Sequence, residues 1–250
     1  MTALTAIIIS LPGAAGRRRF VGRALERVGL PYAFLDATPG KALSEEWITN
    51  NVSTELRNRL ESRNHSLSYV NTVACADSHR RAQRLVASGD EGRYYLILED
   101  DVLVNRLLVS GWPEIERALR DTARDIAFAG YSLPAGATSG TLIARATKHY
   151  ALLRYPATKT LGAFGYLVTP AGAKMLLRCN DDLIRDTADN FRINELGLSD
   201  NVALISPKLI SSGYLPTTIG YPGSARLGAL KRALTRLPIL RQIYIWRQQN

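Results

Sequence analysis

An apolar run that ends in three consecutive acids constrains the fold of this chain more than any other feature. Residues Tyr94–Leu98 are rich in aromatic and β-branched side chains, as is typical of a buried strand. Glu99, Asp100 and Asp101 follow at once. Open α/β sheets bind their ligands at strand ends, and carboxylate oxygens suit Mg²⁺ or Mn²⁺. The pattern predicts a cation site at a strand end, with a solvated acidic turn as the alternative.

Strand and helix patterns alternate along the chain. A strand at Ile7–Ser10, a helix that opens at Arg17 and stops at Gly29, and a strand at Tyr32–Asp36 form a βαβ unit. Later helices are predicted within residues 41–62, 72–87, 113–123 and 171–178, and later strands within 125–131, 141–155 (paired), 162–168 and 202–205. This order predicts an α/β fold with a mostly parallel sheet.

Composition leaves several partner classes open. The 250-residue chain has a net charge of +10 and a pI of about 9.9, which fits nucleic acid, anionic lipid or phosphorylated small molecules. Cys75 and Cys179 are too few for a disulfide framework, which favours a reducing compartment, and their spacing from histidines indicates no metal site. The N-terminus is predicted to be a strand rather than a signal peptide, and no apolar run is long enough to span a membrane.

The C-terminal segment differs in composition from the rest. Residues 224–250 contain six basic residues and no acid, interleaved with leucines, isoleucines and Trp246. This is typical of a basic amphipathic segment at an anionic membrane surface, although Pro238 would kink any helix there. The alternative is an ordinary solvated helix packed on the body. We therefore predict a main domain over residues 1–222 and a tail over residues 223–250.

Four stretches together resemble glycosyltransferase family 25, which includes bacterial lipooligosaccharide transferases. Two elements make the resemblance fairly specific: a Cys-x-x-Ser-His element, and a Leu-Glu-Asp-Asp box about twenty residues downstream. The stretches are Ile7–Leu11 with Arg17–Arg19, Val73–Ala82, Leu96–Asp101 and Gly165–Lys174.

The resemblance implies a fold and an activity. The expected fold is an A-type glycosyltransferase-like α/β/α sandwich, with a nucleotide-sugar half at about 1–135 and an acceptor half at about 136–222. The expected reaction moves galactose or glucose from a UDP-sugar to a lipooligosaccharide or other glycan acceptor, with inversion and with help from Mn²⁺ or Mg²⁺. The enzyme would be cytoplasmic and peripheral on the inner membrane face, and nucleic acid would not be a partner.

The resemblance also assigns the acids to the donor metal. The Glu99–Asp101 box would take the part of an Asp-x-Asp motif, with Asp101 as the main metal ligand. Glu99 or Asp100 would contact the metal or the ribose. A divalent cation there would neutralise charge on the departing diphosphate. The alternative is helix capping by Asp100 or Asp101.

Further residues are expected to bind the donor. One of the three arginines at 17–19 should reach the diphosphate, because guanidinium groups suit phosphate oxygens; Arg18 and Arg19 are favoured. Ser10 is expected in the nucleoside pocket. Ser78 and His79 are expected to line the donor site, with a buried structural histidine as the alternative. Ser78 is not predicted to be a nucleophile, because adjacent helical residues point about 100° apart.

An inverting transfer needs a general base on the acceptor hydroxyl. The acidic segment 181–191 follows the helix predicted near residue 175, and the family carries acids at about that point. Asp189 is the first candidate and Asp186 the second; the alternative is a solvated acidic turn.

Two other functions remain open from the sequence. A Mg²⁺-dependent phosphate-handling enzyme of another kind would want an aspartate early, on the first strand, but that strand ends in Ser10-Leu11-Pro12. A basic nucleic-acid-binding module would show a helix-turn-helix or RNA-platform pattern, and the basic residues here follow neither.

Overall fold

The computed structural model describes residues 4–62, 66–133, 140–156 and 161–212. Its strands are β1 (Thr5–Ser10), β2 (Tyr32–Asp36), β3 (Tyr95–Glu99), β4 (Val102–Val104), β5 (Ile126–Ser132), β6 (Leu142–Arg145), β7 (Ala151–Arg154), β8 (Leu161–Val168), β9 (Val202–Ser206) and β10 (Ile210–Ser212). Its α-helices are α1 (Ala15–Val28), α2 (Glu45–Asn51), α3 (Thr54–Glu61), α4 (Ser66–Ala87), α5 (Leu107–Asp121) and α6 (Pro170–Asn180).

The central sheet is mixed, which corrects the expectation of a mostly parallel sheet. Within the described residues its eight strands lie in the order β2-β1-β3-β8-β5-β9-β7-β6. β1 is parallel to β2 and β3, and β5 is parallel to β9, but β8 is antiparallel to both its neighbours and β7 to both of its own. The orientation of β8 follows from the connections: in the described parts of the segment between β5 and β8 there is no α-helix, and a parallel pair needs a crossover of that kind.

Helices cover both faces of this sheet, as the predicted α/β/α sandwich requires. On one face Ile8, Leu96 and Leu98 pack with Val21 of α1 and Ile115 of α5. The other face packs against α4 and α6, through a core that includes Ile7, Ile97, Val86, Tyr166 and Leu176. The successive residues of β1 and β3 thus enter opposite cores, as the alternation of side chains along a strand dictates.

The acidic box is fixed at both ends. β3 ends at Glu99 in the central sheet, and β4 begins at Val102 in a separate antiparallel pair with β10. Asp100 and Asp101 therefore form a short turn between two anchored strands. Together with Glu99 before them, these residues are called the acidic turn below. β1, β2 and β3 are parallel, so the turn lies at the same edge of the sheet as Ser10 and Asp36, the last residues of β1 and β2. This edge is where a ligand site was predicted.

The predicted elements agree well with those observed. The βαβ unit, the helix at 72–87 and the later strands are all present, and Gly29 ends α1 in the left-handed conformation with φ 70°. No described helix has the length and apolarity needed to cross a membrane. β8 lies between β3 and β5, so the predicted donor and acceptor halves share one sheet; their separate roles stay a prediction. The tail at 223–250 lies outside the described residues.

Candidate functional site

A cavity of about 140 Å³ opens at the sheet edge where β1 and β3 end. Its lining comes from the end of β1, from α1, from the residues after β2, from α4 and from the acidic turn. Of the predicted site residues, it contains Ser10, Ser78, His79, Glu99, Asp100 and Asp101. Residues separated by up to about ninety positions in the sequence thus meet at one place, as the parallel arrangement of β1 and β3 predicts.

Arg17 binds the acidic turn through two ion pairs. Its Nη2 lies 2.8 Å from Oδ1 of Asp100 and 2.8 Å from Oδ2 of Asp101. Ser10 Oγ donates a hydrogen bond of 2.6 Å to the other oxygen of Asp100. Ser10 and Asp100 are buried, whereas Asp101 is half-buried. Asp100 is therefore held on both oxygens, while Asp101 is the more accessible carboxylate of the two.

The acidic turn carries more negative charge than its surroundings readily stabilise. The pKa of Asp101 is raised to about 7, mainly by burial and next by the nearby Glu99 carboxylate, against the opposing effect of Arg17. Burial also raises the pKa of Asp100, although the hydrogen bond from Ser10 and the charge of Arg17 act in the opposite direction. Groups with such shifts that lie together in a cleft are typical of a functional site.

Arg17, rather than Arg18 or Arg19, reaches the cavity. Arg18 contacts Asp36, donates to the Ser10 carbonyl at 2.9 Å and lies over the Phe34 ring. Arg19 is exposed. Neither belongs to the described lining of the cavity, so their predicted roles in donor binding stay predictions that the geometry does not favour. The periodicity of α1 does not separate Arg17 from Arg18, because both lie on the side of the helix that carries the buried Val21 and Leu25.

The middle of α4 buries an unusual number of polar side chains. Asp77, Ser78, His79, Arg80 and Gln83 are all buried. Ser78 Oγ donates to the Ala74 carbonyl at 2.7 Å and accepts from the Thr38 amide at 2.9 Å. Its hydroxyl thus ties α4 to the segment after β2, in keeping with the expectation that it is not a nucleophile.

His79 points toward the acidic turn from α4. Its ring stacks on Tyr166, and Nδ1 lies 3.3 Å from the Tyr166 hydroxyl. Its Nε2 lies 3.5 Å from Oε1 of Glu99. Cys75, one helical turn earlier, lines the same cavity, and burial together with the charges of Glu99, Asp189 and Asp101 raises the pKa of its thiol. The spacing of cysteines and histidines along the chain did not indicate a role for Cys75 at this site.

The two candidate bases lie in different environments. Asp186 is buried, accepts from Arg59 Nη2 at 2.6 Å and from the Thr187 amide at 2.9 Å, and also contacts Asn190. Asp189 is exposed, and its charge is close enough to act on the Cys75 thiol in the cavity. Asp186 is therefore held by its own segment and by Arg59. Neither acid belongs to the described lining of the cavity, so the role of general base stays a prediction for both.

Residues 3–192 match the family model described as glycosyltransferase family 25 (LPS biosynthesis protein). No curated protein matches the chain. Among solved structures, the chain is similar to a glycosyltransferase involved in the glycosylation of the major capsid of PBCV-1, with 12% sequence identity and a TM-score of 0.45, over 92% of this chain and 100% of that chain.

Proposed function

The chain belongs to glycosyltransferase family 25, and on that premise we propose that it moves a hexose, galactose or glucose, from a UDP-sugar to a lipooligosaccharide or another glycan acceptor. The family's description as LPS biosynthesis proteins supports an acceptor of this kind. We also propose that the three-layer arrangement serves as an A-type glycosyltransferase fold, with the donor bound at the carboxyl ends of β1 and β3.

One observation carries this proposal: the acidic turn and a guanidinium group meet in a cavity at that edge. Arg17 offers charged N–H donors, and Glu99 and Asp101 offer carboxylate oxygens, within one cavity lining. A sugar nucleotide presents a diphosphate that gains negative charge as the sugar bond breaks. Cationic donors that are already in place stabilise such charge without reorganisation. The cavity thus has the chemistry that a diphosphate leaving group requires.

The carboxylates fit a divalent cation. Glu99, Asp100 and Asp101 face a single nearby guanidinium among the described residues of the cavity lining. The pKa values of Asp100 and Asp101 are raised first by burial and in addition by the Glu99 carboxylate. Hard oxygen ligands with one partly accessible carboxylate suit Mn²⁺ or Mg²⁺. Asp101 and Glu99 would hold the ion, which when bound would neutralise charge on the departing diphosphate.

The protein's own groups have distinct tasks in this proposal. Arg17 exchanges part of its contact with Asp101 for the donor's phosphate oxygens and so orients the diphosphate. Ser10 keeps Asp100 in place through the 2.6 Å hydrogen bond. Ser78 holds the segment after β2 against α4, which shapes the wall facing the donor.

Asp189 is the proposed general base. Inversion requires a base on the side of the sugar opposite the departing diphosphate, where it takes the proton of the acceptor hydroxyl. Asp189 is exposed and near the cavity, whereas both oxygens of Asp186 are engaged with its own segment and Arg59. An accessible carboxylate suits an acceptor that arrives from solvent.

A binding and turnover experiment tests the proposal. UDP with Mn²⁺ should stabilise the purified chain by about 2.7 kcal/mol at a hundredfold excess over Kd, which raises the melting temperature by several degrees. A panel of UDP-hexoses should show Mn²⁺-dependent hydrolysis of at least one donor. Asp101→Asn should lose that hydrolysis, and Asp182→Asn, an exposed acid outside the cavity lining, should retain it. Stabilisation by oligonucleotides but not by UDP, with no donor hydrolysed, would overturn the proposal.

A further inference from the structure

The cavity also contains a second group of possible metal ligands. This group includes sulfur and nitrogen atoms, which are softer ligands than the carboxylate oxygens of the acidic turn. Although the spacing of cysteines and histidines along the chain indicates no metal site, the fold brings Cys75, His79 and Glu99 together. One ligand atom from each, namely Sγ, a ring nitrogen and a carboxylate oxygen, lies within 4.8 Å of the other two. Cys75 and His79 are four residues apart on α4 and so project from one face of the helix. Glu99 completes the set from the end of β3.

The free nitrogen of His79 points into this cluster. The side chain is only 3% exposed, and Nε2 has no hydrogen-bond partner among the described residues. Leaving a buried polar atom without a partner costs roughly 1–3 kcal/mol, and native proteins rarely do so. A ligand that accepts the Nε2 lone pair removes this cost.

The surroundings of His79 suit a metal ligand. Histidines that bind metals usually donate their other ring N–H to an oxygen, which fixes the tautomer and the ring orientation. With its proton on Nδ1, His79 donates to the Tyr166 hydroxyl 3.3 Å away and keeps the Nε2 lone pair on the Glu99 side. Gln83 donates to the same hydroxyl, and the Tyr166 ring stacks on the imidazole. The imidazole is thus oriented by contacts outside the cluster.

The distance between the His79 nitrogen and the Glu99 oxygen matches that of two ligands on a small tetrahedral ion. With metal–nitrogen and metal–oxygen bonds of about 2.0–2.2 Å, two ligands of a tetrahedral zinc lie roughly 3.3–3.5 Å apart. The separation of His79 Nε2 and Glu99 Oε1 is 3.5 Å. The thiol needs an approach of at most about 1.2 Å, since a nitrogen and a sulfur on one zinc lie roughly 3.6 Å apart and the cluster already lies within 4.8 Å.

We propose that Cys75, His79 and Glu99 bind a thiophilic divalent cation such as Zn²⁺, with the fourth position open to the cavity. On binding, the Cys75 thiol releases its proton to solvent and coordinates as a thiolate, and His79 coordinates as the neutral imidazole. A sulfur–nitrogen–oxygen set selects zinc over Mg²⁺ or Mn²⁺, which prefer all-oxygen sites. The negative charges of Asp101 and Asp189 near the thiol favour a cation at this position.

The site and the proposed donor cation share one ligand. Both ions would draw on the Glu99 carboxylate, and two divalent cations this close repel each other, so zinc here would inhibit transfer in competition with manganese. Only this inhibition rests on the proposed function. Binding of zinc depends on the cluster alone and can be measured without a donor.

Cobalt substitution of the full, reduced chain tests the proposal. Co²⁺ should bind one equivalent with thiolate-to-cobalt charge-transfer absorption, and one equivalent of Zn²⁺ should abolish that absorption. Cys75→Ser should lose the absorption, and His79→Gln and Glu99→Gln should weaken cobalt binding by at least about tenfold. Cys179→Ser, which removes the second cysteine of the chain, and Asp101→Asn should both retain the absorption.

Three results would overturn the assignment. The first is the absence of charge-transfer absorption in the wild-type chain, a measurement that does not depend on any variant folding. The second is absorption that persists in Cys75→Ser and disappears in Cys179→Ser. The third is absorption that disappears in Asp101→Asn while circular dichroism shows that this variant is folded, because the acidic turn would then hold the metal.

Discussion

The guanidinium group of Arg17 lies 2.8 Å from the carboxylate of Asp101, the residue expected to hold the donor's cation. The same nitrogen contacts Asp100 at 2.8 Å. Arg17 thus partly neutralises the acidic turn, and it lies where a diphosphate would compete for its N–H groups. Under the proposed function, Arg17 would hold the turn in place until the donor and its cation bind.

Arg17→Ala should therefore weaken use of the donor more than any other arginine substitution on α1. Hydrogen bonds to charged groups contribute about 1.5–3 kcal/mol, so kcat/KM for the UDP-sugar should fall roughly 10- to 150-fold. Arg23→Ala, which alters an exposed residue of the same helix, is the matched control. A larger loss in Arg18→Ala or Arg19→Ala than in Arg17→Ala would return the donor contact to the residues favoured from the sequence.

The raised pKa of Asp101 predicts how stability changes with pH. The folded value of about 7 exceeds the ordinary value of 3.8, so between these pH values the folded state binds more protons than the unfolded state. The contribution of Asp101 to stability is fully present below about pH 4 and is lost as the pH rises through about 7. In EDTA, the free energy of unfolding should therefore fall between about pH 4 and 7, by at most about 1.4 kcal/mol per pH unit for this one group.

Urea unfolding of Asp101→Asn at the same pH values isolates this effect. The variant lacks the titrating carboxylate, so its free energy of unfolding should depend less steeply on pH than that of the wild type. Asp182→Asn, at an exposed position, should keep the wild-type slope. If the free energy of unfolding depends equally on pH in all three proteins, the pKa of Asp101 is not raised in the folded state.

The parts of the fold that were predicted are those that a local pattern determines. The apolar run before Glu99 and the glycine that ends α1 lie within a few residues of the features they determine, so the strand, the helix and the acidic turn follow from short stretches. The direction of β8 depends on a different kind of information. Its pairing with β3 and β5 joins distant segments, and only the lack of helical pattern between β5 and β8 indicated that the chain reverses there.

The residues of the site also fall into two groups, those that the local sequence indicates and those that only the fold brings together. Ser10 and the acids at the end of β3 could be predicted because they lie at strand ends, but helical periodicity does not separate Arg17 from Arg18, since both lie on the side of α1 that carries Val21. The contact between Asp186 and Arg59 could not have been predicted from the sequence, since 127 positions separate the two residues and each looks like an ordinary surface charge. The cluster of Cys75, His79 and Glu99 likewise requires the packing of α4 against the end of β3, which no spacing along the chain encodes.

The tail, which lies outside the described residues, should bind anionic membranes. Each lysine or arginine near an anionic surface contributes about 1 kcal/mol, so replacing Arg241 and Arg247 by Gln in the full chain should weaken binding to anionic vesicles roughly 30-fold. Deletion of residues 224–250 should abolish sedimentation with such vesicles and leave donor hydrolysis unchanged. High salt should mimic the substitutions because it screens surface charge. Unchanged sedimentation of the truncated chain would assign the tail to packing on the body.

Substitutions of Asp189 and Asp186 should have different effects, the first on the rate of sugar transfer and the second on the free energy of unfolding. Asp189→Asn should lower sugar transfer by about 10²–10⁴-fold, the usual contribution of a general base, with UDP binding and the free energy of unfolding nearly unchanged, because the side chain is exposed. Asp186→Asn removes the charge that Arg59 and the Thr187 amide contact, so the free energy of unfolding should fall by about 1.5–3 kcal/mol. Transfer rates for both variants, measured alongside urea unfolding, decide the assignment. Loss of transfer in a fully stable Asp186→Asn, with normal transfer in Asp189→Asn, would exchange the two roles.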